Sequence, residues 1–379
     1  MNPIVIIGSG LAGYGLLREL NHRHCPHPRL LITADGGESY YNPALSSALG
    51  QKKTPADLAM AQSSTMAQEL NAEILTHTRV TGIDPANHRL TLASGETRPY
   101  GKLVLALGSS PIRLPLTGDG ANDVLSVNNL DDYTRFRERL THARKVAIIG
   151  PGLIGSEFAN DLLQSQRDVT IIGPDPWPIS TLIPQTAGEA VRQAMAAKGA
   201  VWHLETFNGA IEKTAPGYRT TLKNGTVVEA DLVLSAVGIR PEIQLATQAG
   251  LKTQRGIVTD ALLQTSDPDI YAVGDCAEVE GRNLPFVQPL MIGIRALAST
   301  LMGQPREVRY PAMPVAIKTT LHPIITLPPQ TKEGNWTFDG TPATGILGRF
   351  IDPNGKLAGF VLTGSRTPEK TMLMQALAA

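Results

Sequence analysis

Short apolar runs bounded by glycine, proline or polar clusters alternate along this chain with stretches whose apolar residues fall three or four apart. The first run, Ile4-Val5-Ile6-Ile7, passes directly into Gly8-Ser9-Gly10-Leu11-Ala12-Gly13. Leu11 to Leu20 then follows helical spacing, and Leu30-Leu31-Ile32-Thr33 leads to Asp35. Strands of a parallel sheet are buried on both faces and read as continuous apolar runs, whereas an amphipathic helix repeats every 3.6 residues. The segment therefore predicts a strand–helix–strand unit. The same order returns in Lys145-Val146-Ala147-Ile148-Ile149, then Gly150-Pro151-Gly152-Leu153-Ile154-Gly155, a helix through Leu163, and Val169-Thr170-Ile171-Ile172. Two more apolar strands end in glycine, Leu103 to Gly108 and Leu232 to Gly238.

The chemistry lies in the glycines. In G-x-G-x-x-G between a strand and a helix, the first glycine permits the tight turn and the second lets the backbone approach a pyrophosphate. The third lets helix and strand pack closely. Gly8, Gly10 and Gly13 fill these places in the first unit, and Gly150, Gly152 and Gly155 in the second. The free N–H groups of each following helix turn can take phosphate. An acid about 20 residues on accepts a ribose hydroxyl; Thr33-Ala34-Asp35 occupies that place, with Asp35 as the acceptor. After the second unit stands Gly173-Pro174-Asp175, with no nearby arginine to pair a 2′-phosphate, which favours NADH over NADPH. Two dinucleotide units in one chain imply a flavin and a nicotinamide working together. In Ile270-Tyr271-Ala272-Val273-Gly274-Asp275, a carboxylate just past a strand and a glycine is placed to accept a ribityl hydroxyl. A further helix is expected from Phe286 to Met302, its positive N-terminus able to stabilise a reduced, anionic flavin.

Composition narrows the field. The 379 residues exceed one ordinary domain. Lys+Arg and Asp+Glu both number 34 and aromatics are 5%, which argues against nucleic acid as the partner. Two cysteines, Cys25 and Cys276, make no disulfide framework and suit a reducing cytoplasm. No secretory signal and no spanning apolar stretch are evident, so no membrane insertion is expected. No CxxC or CxxxxC is present, and Leu45-Ser46-Ser47 offers only serine. Electrons must then leave the flavin without a sulfur relay, and Cys276 reads as a small buried thiol. His22-Arg23-His24-Cys25-Pro26-His27 matches no closed tetrahedral spacing and reads as a solvated loop, so no metal site is expected. Arg135, Arg137, Arg139, Arg144 and Lys145 read as one solvated helix face.

The set Gly8-Gly10-Gly13, Ala106-Leu107-Gly108, Gly150-Gly152-Gly155-Glu157 and Ile270 to Asp275 resembles the FAD-dependent pyridine-nucleotide oxidoreductases with two dinucleotide-binding domains. The resemblance covers essentially the whole chain. Tyr41-Asn42-Pro43-Ala44-Leu45-Ser46 is similar to the ferredoxin and rubredoxin reductase branch. Ile32 to Asp35, Thr76 to Asp84, Glu157 to Leu162, Val273 to Val279 and Met313-Pro314-Val315 resemble the rubredoxin–NAD(+) reductases of alkane oxidation, with flavorubredoxin reductases as siblings.

That resemblance implies an α/β protein of two Rossmann-like domains, for FAD and NAD, with a small α+β C-terminal domain. The implied boundaries are FAD 1–110 and 241–309, NAD(H) 111–240, and a C-terminal interface domain 310–379 of short strands. It implies FAD, with NADH as donor and rubredoxin as acceptor, and a cytoplasmic monomer feeding an alkane hydroxylase. Flavorubredoxin or ferredoxin are the alternative acceptors, and an NADH-switched partner-binding flavoprotein is the alternative of another class. The implied cofactor contacts are Gly8, Ser9, Gly10, Leu11, Ala12, Gly13, Thr33, Ala34, Asp35, Asn42, Val80, Ala106, Gly108, Gly274, Asp275, Val287 and Lys318 for FAD. Gly150, Gly152, Gly155, Glu157 and Gly238 complete the set, with Glu157 matching the family glutamate at the flavin and nicotinamide. Glu157 and Lys318 are the catalytic candidates. Relatives carry lysine where this chain has Asn42.

Overall fold

The computed structural model describes residues 2–378. The chain forms two compact units, each of several segments. The first comprises residues up to Asn42, Asp57–Ser110 and Ile239–Pro311. Its core is a five-stranded parallel sheet in the order Ile270–Ala272, Lys102–Leu105, Ile4–Ile7, Arg29–Ile32, Glu73–Leu75. The central strand Ile4–Ile7 is buried at all positions, which is why it reads as an unbroken apolar run. The helix Leu11–His22 follows, burying Leu16, Leu17 and Leu20, and packs on the helix Val287–Leu301. A meander of Val80–Asp84, Arg89–Leu92 and Thr97–Pro99 precedes the return strand Lys102–Leu105.

The second unit comprises Pro43–Ala56, Pro111–Gly238 and Ala312–Ala379. It repeats the plan. A four-stranded parallel sheet runs Val201–His203, Asp168–Ile172, Lys145–Ile149, Leu232–Ser235. The helix Leu153–Gln164 follows the glycine turn, and a meander, Asn208–Lys213, Tyr218–Leu222 and Val227–Ala230, again precedes the return strand. The internal repeat seen in the sequence is thus a repeat of topology. The same unit holds a five-stranded antiparallel sheet, ordered Val315–Ile317, Ile324–Leu327, Leu357–Thr363, Gly345–Ile351, Asn335–Thr341.

Three features differ from the sequence reading. Pro43–Ala56, expected within the first unit, belongs to the second, although the residues on both sides of it stay in the first. Leu45 and Ala48 are buried there, and the backbone N–H groups of Leu49 and Gly50 end on Asp161. The long hairpin Asn335–Thr341 and Gly345–Ile351 was not foreseen. Its outer strand is an edge exposed at nearly every position, so it carries no apolar run; Trp336 instead packs on Phe338 and Phe350, with ring centroids 5.8 and 5.5 Å away. The basic stretch is more than a solvated face. Within the helix Leu130–Leu140, Arg137 donates to the Lys53 carbonyl at 2.7 Å and Arg139 to the Tyr218 hydroxyl at 2.8 Å.

Candidate functional site: two glycine-turned helix ends and a buried ion pair

Gly8 has φ +113, and a Cβ there would lie 2.3 Å from the Ala106 carbonyl oxygen. Gly13 would place a Cβ 1.9 Å from the Gly8 carbonyl oxygen. Strand, return strand and helix therefore meet with no room for side chains. Gly10 differs: its Cβ would meet nothing within 4 Å, so this glycine faces open space. It is the N-cap of the helix Leu11–His22, in extended conformation and with no side-chain cap. The first-turn N–H groups have no partner inside the helix, and together with the open glycine they make a site for an anion. Beside it, the Asp35 carboxylate accepts from Ser9 Oγ (3.0 Å), Thr33 Oγ1 (2.5 Å) and the Gly37 N–H (3.1 Å) through one oxygen, Oδ1.

The second unit reproduces this geometry. Gly150 has φ +110 and approaches the Ala236 carbonyl, and a Cβ on Gly155 would lie 1.9 Å from the Gly150 oxygen. Gly152 is an uncapped, extended N-cap with nothing within 4 Å. Both ends thus fit the pyrophosphate of a dinucleotide, one in each unit. Asp175 accepts from Ser180 Oγ at 2.5 Å.

Other expected cofactor residues of the first unit surround its turn. Gly274 (φ +85) comes against Ala12, since a Cβ there would be 3.1 Å from that of Ala12. Ala106 is buried, and Gly108 (φ +69) faces open space. Asp275 accepts from Ser109 Oγ at 3.0 Å, and burial pushes its carboxyl above the usual range. Val80 opens its strand, Asn42 opens a short 3-10 turn, Asn42–Ser47, and Val287 opens the helix Val287–Leu301. Leu11 and Ala12 lie in the first turn of the fingerprint helix, and Ala34 is exposed beside Asp35. In the second unit Gly238 takes φ +110.

Glu157 and Lys318, far apart in sequence, meet in the second unit. Glu157 is 1% exposed. Its Oε2 lies 2.7 Å from Lys318 Nζ and accepts from Ser46 Oγ at 2.5 Å, while Oε1 accepts the Lys318 backbone N–H at 2.9 Å. Lys318 Nζ also donates to the Pro43 carbonyl at 2.7 Å. A carboxylate this deeply buried needs such partners, because an unpaired charge there would be several kcal/mol unfavourable. In the sequence Ser46 stands only as a residue that cannot relay electrons and as the end of the Tyr41–Ser46 motif; here its hydroxyl holds the glutamate. Asn160 and Asp161 were not singled out at all. Their signal was polar residues on the inward face of an otherwise apolar helix.

Both cysteines are free and buried. Cys276 is wholly buried, its thiol donates to the Leu105 carbonyl at 3.3 Å, and burial pushes its pKa up to about 11. It is a packed thiol with almost no thiolate at neutral pH. Among the described residues no group of three or more His, Cys, Asp or Glu could hold a metal, and no helix is long and apolar enough to cross a membrane.

Residues 2–304 match the family described as pyridine nucleotide-disulphide oxidoreductase, and residues 307–377 match the rubredoxin binding C-terminal domain. The chain is 43% identical to a rubredoxin-NAD(+) reductase of Acinetobacter baylyi, covering 100% of this chain and 98% of that one. A rubredoxin-NAD(+) reductase of Alcanivorax borkumensis is 42% identical, over 100% and 99%. A ferredoxin reductase of Rhodopseudomonas palustris superposes with a TM-score of 0.89 at 26% identity, covering 98% of this chain and 93% of that one. With its two uncapped glycine turns and a family match over residues 2–304, this chain belongs to the pyridine nucleotide-disulphide oxidoreductase family.

Proposed function

We propose that this protein is an NADH-dependent flavoprotein reductase that delivers electrons from NADH, through FAD, to rubredoxin. The observation that carries the reading is the match of residues 307–377 to the rubredoxin binding domain, on a chain with two dinucleotide turns. On this reading the first-unit residues Gly8 to Gly13, Thr33 to Asp35, Asn42, Val80, Ala106, Gly108, Gly274, Asp275 and Val287 hold FAD. Gly150, Gly152, Gly155 and Gly238 hold NADH. The domains are then FAD 1–110 and 241–309, NAD(H) 111–240 and interface 310–379, with residues 43–56 structurally joined to the latter two. FAD, when bound, converts the two electrons of a hydride into the single electrons that an Fe(Cys)₄ centre can take. The protein's part is to bind, orient and tune; Glu157 and Lys318 carry the charges for that task.

The acceptor is tested by stopped flow. NADH-reduced holoenzyme should be reoxidised by oxidised rubredoxin far faster than by oxygen. Preference for ferredoxin or flavorubredoxin by more than about tenfold, a difference of about 1.4 kcal/mol in barrier, would move the assignment to that partner. Reoxidation by oxygen alone would favour an NADH-switched binding protein. An alkane hydroxylase is the proposed destination of the electrons, and the cytoplasm the proposed compartment, consistent with two unpaired cysteines.

No sulfur need lie on the electron path. The double variant Cys25→Ser, Cys276→Ser should keep NADH-to-rubredoxin turnover within about threefold, since a serine hydroxyl at 276 can donate to the same Leu105 carbonyl. A hundredfold fall in folded, FAD-loaded protein would mean a cysteine is redox-active.

A further inference from the structure

Besides Ser156, the helix Leu153–Gln164 buries three larger polar side chains on one face: Glu157, Asn160 and Asp161, at 1%, 2% and 3% exposure. Positions three and four apart share a helix face, and charged groups are almost never this buried unless partnered. Each of the three reaches a remote segment. Asp161 accepts the N–H of Leu49 on Oδ2 (2.9 Å) and of Gly50 on Oδ1 (2.7 Å). Asn160 accepts the Leu321 N–H at 2.9 Å and donates to Thr320 Oγ1 at 3.1 Å. Glu157 takes Ser46 and Lys318 as described.

The excursion Pro43–Ala56 is therefore pinned at successive points: Pro43 by Lys318, Ser46 by Glu157, Leu49 and Gly50 by Asp161, and Lys53 by Arg137. It supplies a partner to both members of the ion pair, a hydroxyl to Glu157 and a carbonyl to Lys318. Its local structure is a short 3-10 turn, Asn42–Ser47, hydrogen-bonded turns up to Lys53 and the start of the helical turn Pro55–Leu58, with no strand of its own.

We propose that Asp161 is a positioning residue: by gripping the Leu49 and Gly50 N–H groups it fixes the 43–56 excursion, and so sets the Ser46 hydroxyl on Glu157 and the Pro43 carbonyl on Lys318. What the pair then does rests on the proposed reductase reading; the grip on the excursion does not. Two separate N–H groups require two acceptor oxygens, which a carboxyl group supplies. An amide turns one of those positions into a donor facing a donor. Burial raises the Asp161 carboxyl to about 6. That net value already includes Glu157 on the same helix, which raises it, and the Leu49 and Gly50 N–H groups and Arg137 of the helix Leu130–Leu140, which lower it. Tyr133 of that helix also faces it. An opened, solvated Asp161 titrates in the ordinary carboxylate range, so the pinned state holds the proton more tightly: the closed segment gains on acidification through about 6 and opens more readily above it.

The test is hydrogen exchange of the FAD-loaded protein, read on peptides spanning residues 47–54, together with the rate of flavin reduction by NADH. Asp161→Asn should exchange there at least tenfold faster than the parent at pH 8. Its limiting reduction rate should fall at least tenfold, with the NADH dissociation constant within twofold. The parent's protection of this segment should rise between pH 7.5 and 5.5, after correction for intrinsic exchange, and the variant should not show that step. Unchanged exchange in the variant, or a loosened segment with an undiminished reduction rate, would overturn the proposal. If the variant does not fold, the parent's pH arm decides alone: no step near pH 6 refutes it. Rubredoxin enters none of these readouts, so a wrong acceptor would leave this result standing.

Discussion

Gly152→Asp is expected to abolish reduction by NADH while leaving FAD bound and the fold intact. Gly152 is the N-cap of the helix Leu153–Gln164, at φ −71 and ψ −167, and a Cβ there meets nothing within 4 Å. Aspartate is among the preferred N-caps and suits this conformation, so the helix loses nothing and gains a cap. That cap is the difficulty for the nucleotide. The new carboxylate takes up the first-turn N–H groups that would bind the pyrophosphate, and it sets a like charge against the incoming phosphates. A like-charge juxtaposition costs several kcal/mol, which corresponds to a loss of roughly 100-fold or more in kcat/KM for NADH. The check is steady-state kinetics with an artificial acceptor, beside the FAD-to-protein ratio and the thermal midpoint, both of which should match the parent. Loss of FAD with NADH binding retained would mean that the two units have been assigned the wrong way round.

Gly13→Ala should act through packing instead. Its Cβ would lie 1.9 Å from the Gly8 carbonyl oxygen and 3.0 Å from the carbonyl carbon, both backbone atoms. Gly8 cannot withdraw, because its own Cβ position is 2.3 Å from the Ala106 carbonyl oxygen and its φ of +113 already excludes most residues. Relief requires the helix Leu11–His22 to lift from the sheet, opening contacts of Leu16, Leu17 and Leu20, all fully buried. Overpacking against backbone of this severity is expected to cost about 3 kcal/mol or more. For a unit of this size that lowers the midpoint by roughly 6–12 °C, and FAD should be lost on gel filtration. The contrast is Gly10→Ala, whose Cβ meets open space and should leave the apoprotein's midpoint unchanged. An alanine at 13 with full FAD content and the parent's midpoint would refute the close-packing account.

The repeat was legible in the sequence because each part of it is a local matter. A strand buried on both faces is an apolar run, a helix packed on one side has a 3.6-residue period, and a turn needing positive φ or close backbone approach is a glycine. Ile4–Ile7 with Gly8, Gly10 and Gly13, and Lys145–Ile149 with Gly150, Gly152 and Gly155, announce their geometry within a few residues. The lack of a cysteine pair was equally plain.

What the chain order could not show is which distant segments share a polar partner. Pro43–Ala56 has no periodicity that ties it to residues far along the chain, and its joining to the second unit rests on side chains of two helices and on Lys318. Nothing in the sequence pairs Ser46 with Glu157, whose carboxylate accepts its hydroxyl at 2.5 Å. The long edge strand Asn335–Thr341 was invisible because an exposed edge needs no apolar run. Sequence patterns record whether a residue faces core or water; hydrogen bonds between buried groups depend on which surfaces meet, and only the tertiary structure brings Glu157, Asp161, Ser46 and Lys318 together.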